Sequence, residues 1–538
     1  ISAANMDWVC YSTPISAAKE FLGEDVVNDP VAYPDEEILK QFLRSRLPMR
    51  LLADLEAFLQ VVDQPIAIRS SSLLEDSHYQ PFAGVYSTYM IPYISDKYDR
   101  LSMLSNAIKA VYASVFYRSS KDYMTATSNV IDQEKMAIIL QEVVGKQHDT
   151  RFYPVISGVA RSINYYPIGD EKAEEGTVNL ALGLGKYIVD GGQSLRVSPA
   201  HPNQVLQMSE MEMALRDTQT HFLALDMAKM ENGVLDFQKD DGFNLRKWSV
   251  RDAEPDGTLQ WICSTFDPVD QCIYDGYYEG RNRKIISFAG VLQNGVFPLP
   301  ELMQKVLKYG QDEMQRPVEI EFAVNLNADK TGEFFLLQIR PMVDNRMELN
   351  EDLIQVPDED CILRSHSAIG HGVFNEVEDV VYVKTEDYTP NNNPAIADEI
   401  EYINRYFINR RNTPTDGEEG VRESYLLIGP GRWGSSDPWL GIPVKWPHIS
   451  AAQVIVEAGL DNYQVDPSQG THFFQNLTSL GVCYLTIDAF RGDGIYRKEV
   501  FDALPAVQET KHVRHVRMPR PMTIKVDGRH KEAVVLRE

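Results

Sequence analysis

The chain has 538 residues, of which 43% are hydrophobic and 24% charged, with a net charge of −26. That is the composition of an ordinary globular protein, long enough for roughly two to four domains. The acidic balance argues against a nucleic-acid partner, since phosphate backbones are met by basic surfaces, but it leaves room for a local basic pocket around a nucleotide.

Five cysteines are scattered, odd in number and without a CxxC pair. They point to a reducing, cytoplasmic setting without a disulfide framework or a cysteine-based metal site. No uninterrupted apolar run reaches about 18 residues, which excludes a transmembrane helix and with it a membrane partner. No signal peptide opens the chain. It begins at Ile1 rather than Met, so an upstream piece is expected.

Residues 36–60 carry apolar side chains at spacings of three and four, the period of a helix, and Pro48 ends one helix and begins another. In PIAIRSSSLLED, Pro65–Asp76, a short strand Ile66–Ile68 leaves Arg69 at its end beside Ser70, Ser71 and Ser72. An arginine and hydroxyls there suit a phosphate group. An ion pair of Arg69 with Glu75 or Asp76, with the serines as helix caps, explains the same residues. Residues 101–127 read as a further amphipathic helix, 135–144 as an apolar strand and 157–167 as a strand leading to a turn. The segment NLALGLGKYIVDGG, 179–192, has neither the spacing of a P-loop nor that of a dinucleotide fingerprint. Its Gly183 and Gly185 either admit a ligand close to the backbone or serve turn geometry alone. Residues 209–231 read as helix, 246–296 as short strands and turns, and 299–315 as a helix.

PVEIEFAVNLNADKTGEFFLLQIRP, Pro317–Pro341, is a β-hairpin by its pattern, with strands Val318–Leu326 and Phe334–Ile339. Alternation puts Glu319, Glu321 and Ala323 on one face and Ile320, Phe322 and Val324 on the other. Gln338 and Arg340 share a face of the second strand. Carboxylate and amide oxygens suit Mg²⁺ bridged to phosphates, and a forked guanidinium suits a phosphate oxygen. A solvated face of an antiparallel hairpin gives the same alternation.

Beyond the acidic linker 344–360, residues 361–383 read as strands of a second, β-rich domain, and 384–423 as an exposed loop plus one helix. In YLLIGPGRWGSSDPWLGIPVKW, the residues Gly429, Gly431, Arg432, Gly434 and Ser435 form either an anion-binding concavity or a structural loop packed by Trp433 and Trp439. A strand, AQVIVEAGL, follows. In GTHFFQNLTSLGVCYLTI, Gly470–Ile487, His472 opens a helix, where free N–H groups favour a phosphate; capping or surface decoration is the plain alternative. MTIKV and EAVVL near the C-terminus read as a solvated edge hairpin.

Taken together these motifs resemble the ATP-binding, PEP/pyruvate-binding domain of pyruvate phosphate dikinase and phosphoenolpyruvate synthase. Four segments carry the likeness in order: IAIRSSSLLED…PFAGVYSTY, KMAIILQEVVG…SGVARSINYYP, ALGLGKYIVDGG, and VEIEFAV…FFLLQIRP. The resemblance implies an α/β (α+β) chain: an ATP-grasp, two-lobed nucleotide-binding domain over 1–343, then a smaller β/β/α swivelling domain over 361–538. It implies ATP and Mg²⁺ as cofactors. Arg69 would contact nucleotide phosphates; Glu321 and Gln338, with Glu319 close by, would hold the metal; Arg340 would meet the transferred phosphate. Gly183 and Gly185 would line the nucleotide. His472, with Leu480-Gly481-Val482 at matching offsets, would carry the phosphoryl group to a small-molecule acceptor, pyruvate being one candidate, and a homodimer is a candidate assembly.

The chain departs from the family's pattern at Thr471, Phe473 and Phe474, where Cys or Ser and then small residues are usual. Its Gly-Gly-Lys segment and its phosphoenolpyruvate-binding barrel are not recognisable here. An ATP-dependent phosphotransferase is the leading reading; a nucleotide-sensing regulatory module and an ATP-grasp ligase are the alternatives.

Overall fold

The computed structural model describes residues 2–3, 6–12, 33–72, 84–126, 136–228, 242, 244–280, 282–342, 353–411, 424–460, 463, 471–488 and 493–536. The chain divides into two compact units, Ile1–Val189 with Gln193–Pro341, and Asp190–Gly192 with Met342–Glu538.

In the first unit, α1 (Asp35–Arg44) and α2 (Met49–Leu59) each begin directly after a proline, Pro34 and Pro48. The strand β1 (Ile66–Ser72) is longer than its apolar start implies. Arg69 lies in mid-strand, and Ser70, Ser71 and Ser72 continue the ladder rather than forming a loop. α3 (Lys97–Ser114) is capped by the Asp96 carboxylate, which accepts from the backbone N–H groups of Tyr98 and Asp99. The single helix expected over 101–127 is broken after Ser114, and a second begins at Arg118. The N–H groups of Val115, Phe116 and Tyr117 reach back only three residues. That tightening lets Phe116 stack on Phe42, ring centroids 5.7 Å apart.

Next come β2 (Met136–Glu142), β3 (Ile156–Arg161) and β4 (Thr177–Ala181). The helix expected over 209–231 is confined to Met211–Asp217, and His221–Asp226 is a strand. Thr218 ends the helix by adopting extended backbone while its hydroxyl donates to the Ala214 carbonyl at 2.6 Å. The helix α4 (Leu299–Met314) delivers the chain to the hairpin of β5 (Val318–Leu326) and β6 (Gly332–Pro341).

Antiparallel pairing sets β6, β5, β3 and β4 side by side in a six-stranded sheet. One face of it is the core. Ile320, Phe322 and Val324 of β5 join Ile156 and Ala160 of β3, Val178 and Leu180 of β4, and Met303, Val306 and Leu307 of α4. Gly158 makes room for the Phe322 ring there; a Cβ on Gly158 would lie 2.2 Å from that ring. The opposite face carries the charges. β1 and β2 belong to a separate four-stranded sheet.

The hairpin register shifts by one residue. Glu319 pairs with Arg340 and Glu321 with Gln338, but Phe322 pairs with Leu336, so Leu337 is a β-bulge. Alternation counted from the turn would point Gln338 and Arg340 into the apolar core. The extra residue reverses that parity and brings them to the face of Glu319 and Glu321.

In the second unit β7 (His371–Val383), α5 (Asn393–Arg411), β8 (Tyr425–Gly429), β9 (Ala452–Ala458), α6 (His472–Ser479), β10 (Cys483–Ile487), β11 (Val513–Asp527) and β12 (Glu532–Leu536) build around a ten-stranded mixed sheet. Strands β7, β8, β9 and β10 lie parallel in chain order. The C-terminal pair β11 and β12 is not a solvated edge. β11 lies between β7 and β12, and Ile524, Val526 and Val534 are fully buried. Trp433 is buried and its indole N–H donates to the Val456 carbonyl at 3.0 Å, but Trp439 is 63% exposed and packs no loop. Linker residue Leu353 packs against Cys361 and Val534.

The bulge makes a sharp prediction. Deleting Leu337 removes the extra residue and leaves Gln338 opposite Glu321 and Arg340 opposite Glu319 in an unbulged ladder, so the cost in urea denaturation should stay near that of the lost half-buried side chain, about 1–2 kcal/mol. Leu337→Ala keeps the register and should cost only about 1 kcal/mol for a half-buried side chain.

Candidate functional site

Polar side chains from four strands of the first unit meet on the charged face of the hairpin. Arg69 reaches over from mid-β1. Its Nη1 donates to Gln141 Oε1 at 3.3 Å, and its Nη2 donates to Gln338 Oε1 and lies 3.7 Å from Glu321 Oε2. Arg340 Nη2 bridges Glu321 Oε1 at 3.0 Å and Gln338 Oε1 at 2.6 Å. Gln141 lies on β2, and its amide donates to the Leu337 carbonyl at 3.3 Å. The bulge thus supplies both a parity change and a backbone acceptor for the site. Sequence reasoning missed Gln141; the signal was a lone amide inside the apolar run MAIILQE.

For Glu319 the structure departs from the expectation of a metal donor close to Glu321. It is 3% exposed, and its Oε2 accepts from Arg161 Nε at 2.7 Å, with Arg161 Nη2 at 2.5 Å. Both neighbours in register, Arg161 on β3 and Arg340 on β6, are arginines. A buried carboxylate held this way supports the sheet rather than offering oxygens to a ligand. Arg161 was the second omission, again a lone charge in an apolar run.

Arg69, Arg161 and Arg340 set three positive charges against the two carboxylates of Glu319 and Glu321, an excess of one in a chain of net charge −26. Side-chain exposures of 22% for Arg69, 17% for Glu321 and 10% for Arg340 leave these groups partly shielded. Forked guanidinium donors of this kind match phosphate oxygens.

The fit to Mg²⁺ rests on Glu321 and Gln338. Their oxygens accept from the same Arg340 nitrogen at 3.0 and 2.6 Å, so they lie no more than 5.6 Å apart. One carboxylate and one amide oxygen are the sparse protein donor set that this ion takes when it keeps water and phosphate ligands. Among the described residues no group of three or more His, Cys, Asp or Glu side chains is gathered for a metal.

Gly183 and Gly185 lie just past β4, beyond the end of the sheet opposite to Arg161 and Arg340. Gly183 has φ +90°, a Cβ there would meet the Leu223 carbonyl at 2.5 Å, and its own carbonyl accepts from Ser157 Oγ at 2.7 Å. Packing against the backbone therefore requires this glycine. Gly185 has space for a side chain, its nearest neighbour being Ser157 at 3.6 Å. Residues Glu75 and Asp76 fall outside the described residues.

His472 belongs to the second unit. It is the first residue of α6, half-buried, after Thr471, whose hydroxyl caps the helix by accepting from the Phe474 N–H at 3.1 Å. Leu480-Gly481-Val482 closes the helix, with Val482 N–H donating to the Leu477 carbonyl.

No helix among the described residues is long and apolar enough to cross a membrane. No curated protein matches the chain. The family model of the pyruvate phosphate dikinase AMP/ATP-binding domain matches residues 20–358, well over half of the chain, and spans every strand that contributes to the Arg69–Glu321–Gln338–Arg340 cluster. The chain therefore belongs to the pyruvate phosphate dikinase AMP/ATP-binding domain family, and its first unit is an ATP-binding domain of mixed α and β structure, of the ATP-grasp kind.

Proposed function

We propose that the protein is an ATP-dependent phosphotransferase that moves a phosphoryl group from Mg-ATP to His472 and from there to a small-molecule acceptor, pyruvate among the candidates. The observation that carries this reading is the convergence of Arg69, Gln141, Glu321, Gln338 and Arg340 on one sheet face. Phosphoryl transfer needs little covalent work from a protein; it needs positioning and neutral surroundings for charged oxygens.

Arg340 and Arg69 would exchange their contacts to Glu321 and Gln338 for phosphate oxygens. Glu321 and Gln338 would hold Mg²⁺, whose chemistry when bound is neutralisation of phosphate charge. Gln141 would keep Arg69 aimed, and the Glu319–Arg161 pair would keep Arg340 from straying. In the transfer itself an imidazole nitrogen of His472 attacks phosphorus. The bond to the bridging oxygen breaks, and the nucleotide leaves with the electron pair. Neutral imidazole is a competent nucleophile because its ordinary pKa lies near 6.5. The Thr471-capped start of α6, at the positive end of the helix dipole, favours the anionic product.

A nucleotide sensor without phosphoryl transfer is the second reading. It is favoured by Phe473, whose ring lies against Gly434 so closely that a Cβ on that glycine would be 2.1 Å away. His472 is flanked there by bulk.

Incubation with Mg²⁺ and β- or γ-labelled ATP separates the two. Transfer predicts retained label that is acid-labile and base-stable, and its loss in His472→Ala. Unlabelled protein, or equal label in the variant, would sink the phosphohistidine reading and leave the sensor. An ATP-grasp ligase would instead release ADP only when a carboxylate and a nucleophile are both supplied.

The phosphate site has its own test by calorimetry. Glu321→Ala should weaken Mg-ATP binding about tenfold or more, equivalent to at least ~1.4 kcal/mol. Arg340→Lys should do the same, because a point charge cannot replace a fork that bridges two acceptors. Glu321→Ala should lose most of its effect when Mg²⁺ is withheld, whereas Arg340→Lys should not.

A further inference from the structure

Away from the cluster, the first unit holds a cavity of about 580 Å³, lined among others by Glu254, Trp261, Tyr277, Glu279, Asn294 and Lys330. That volume is in the range of small-molecule sites. Its walls come from the segment around the strands Cys263–Asp267 and Cys272–Asp275, and from the turn of the β5–β6 hairpin. The Trp261 indole N–H donates to the Asn327 carbonyl of that turn at 3.1 Å, which fixes the ring.

The aromatic faces at this cavity already attract ammonium groups. Lys330 Nζ lies 5.2 Å from the Trp261 ring centroid. Lys284 Nζ lies 4.8 Å from that of Tyr277 and donates to the Tyr278 carbonyl at 2.5 Å. Burial first, then the carboxylates of Glu254 and Glu279, hold the Tyr277 phenol above its ordinary pKa, and all three residues line the cavity. The lining itself carries two carboxylates and one ammonium, Lys330, which is exposed on its turn, while the buried Lys284 ammonium beside Tyr277 is a second cation next to that wall. Cys263 in the wall is no nucleophile, since burial pushes its thiol up to about 12.

We propose that this cavity binds a small organic cation, an alkylammonium, between the aromatic walls Trp261 and Tyr277 with Glu254 and Glu279 as counter-charges. Aromatic faces with nearby carboxylates are the chemistry that selects ammonium over neutral or anionic ligands. Lys330 occupies on Trp261 the position that the ligand's cation would take, as a tethered competitor from the hairpin turn.

Calorimetry on the full chain tests this with choline, its neutral carbon isostere 3,3-dimethylbutan-1-ol, and inorganic phosphate. Choline should bind about tenfold or more tightly than the isostere, the fold-change expected from a partly desolvated cation–π contact. Glu279→Gln, at an exposed position where folding is not at stake, should weaken choline several-fold. Lys330→Gln should tighten it several-fold by freeing the Trp261 face. Equal binding of choline and the isostere, or no heat with choline, overturns the proposal. So does weaker choline binding in Lys330→Gln. Phosphate binding that is lost in Lys330→Gln would assign the cavity to an anion instead.

Discussion

The parity of one strand governs this molecule's first unit. A β-strand offers its residues to two faces in turn, and here one face must be apolar against α4 while the other must be polar toward the site. β6 cannot satisfy both demands along its whole length by simple alternation. Phe334 and Leu336 face the core from the turn end, and Ile339 must face it opposite Ile320 at the other. Those positions have opposite parity. The bulge at Leu337 reconciles them. Every contact of Gln338 and Arg340 with Glu321, and the anchoring of Gln141 to the Leu337 carbonyl, depends on it.

The identities at the site were legible in the sequence because each residue type announces its chemistry and β5 alternates cleanly. Arg69, Glu321, Gln338 and Arg340 were all found that way, and the structure brings them together. The bulge was not legible, since Gln338 and Arg340 keep their mutual spacing whether or not Leu337 is extra. Only the pairing with β5 reveals it. Gln141 and Arg161 were hidden for a different reason. A single polar residue in an apolar run looks like noise until a partner from another strand appears, Arg69 in one case and Glu319 in the other.

The same limit explains the misreadings in the second unit. MTIKV and EAVVL look like an edge hairpin because nothing local shows that β7, far upstream, covers the open side of β11. Trp439 looked like a loop anchor by size alone, yet Trp433 does that work through a backbone hydrogen bond. Composition describes what a segment prefers. Long-range pairing decides what it gets.

The buried Glu319–Arg161 pair has a consequence for anyone mapping this protein by alanine scanning. Removing either partner strands a charge in a place with almost no water, so both single variants will look inactive and invite a catalytic label. An uncharged pair of similar volume, introduced at both positions together, avoids the stranded charge. Survival of such a double replacement would mark Glu319 and Arg161 as scaffolding. Failure would show that Arg340 needs a negative neighbour to stay in line, which makes the pair an electrostatic splint for the residue beside it.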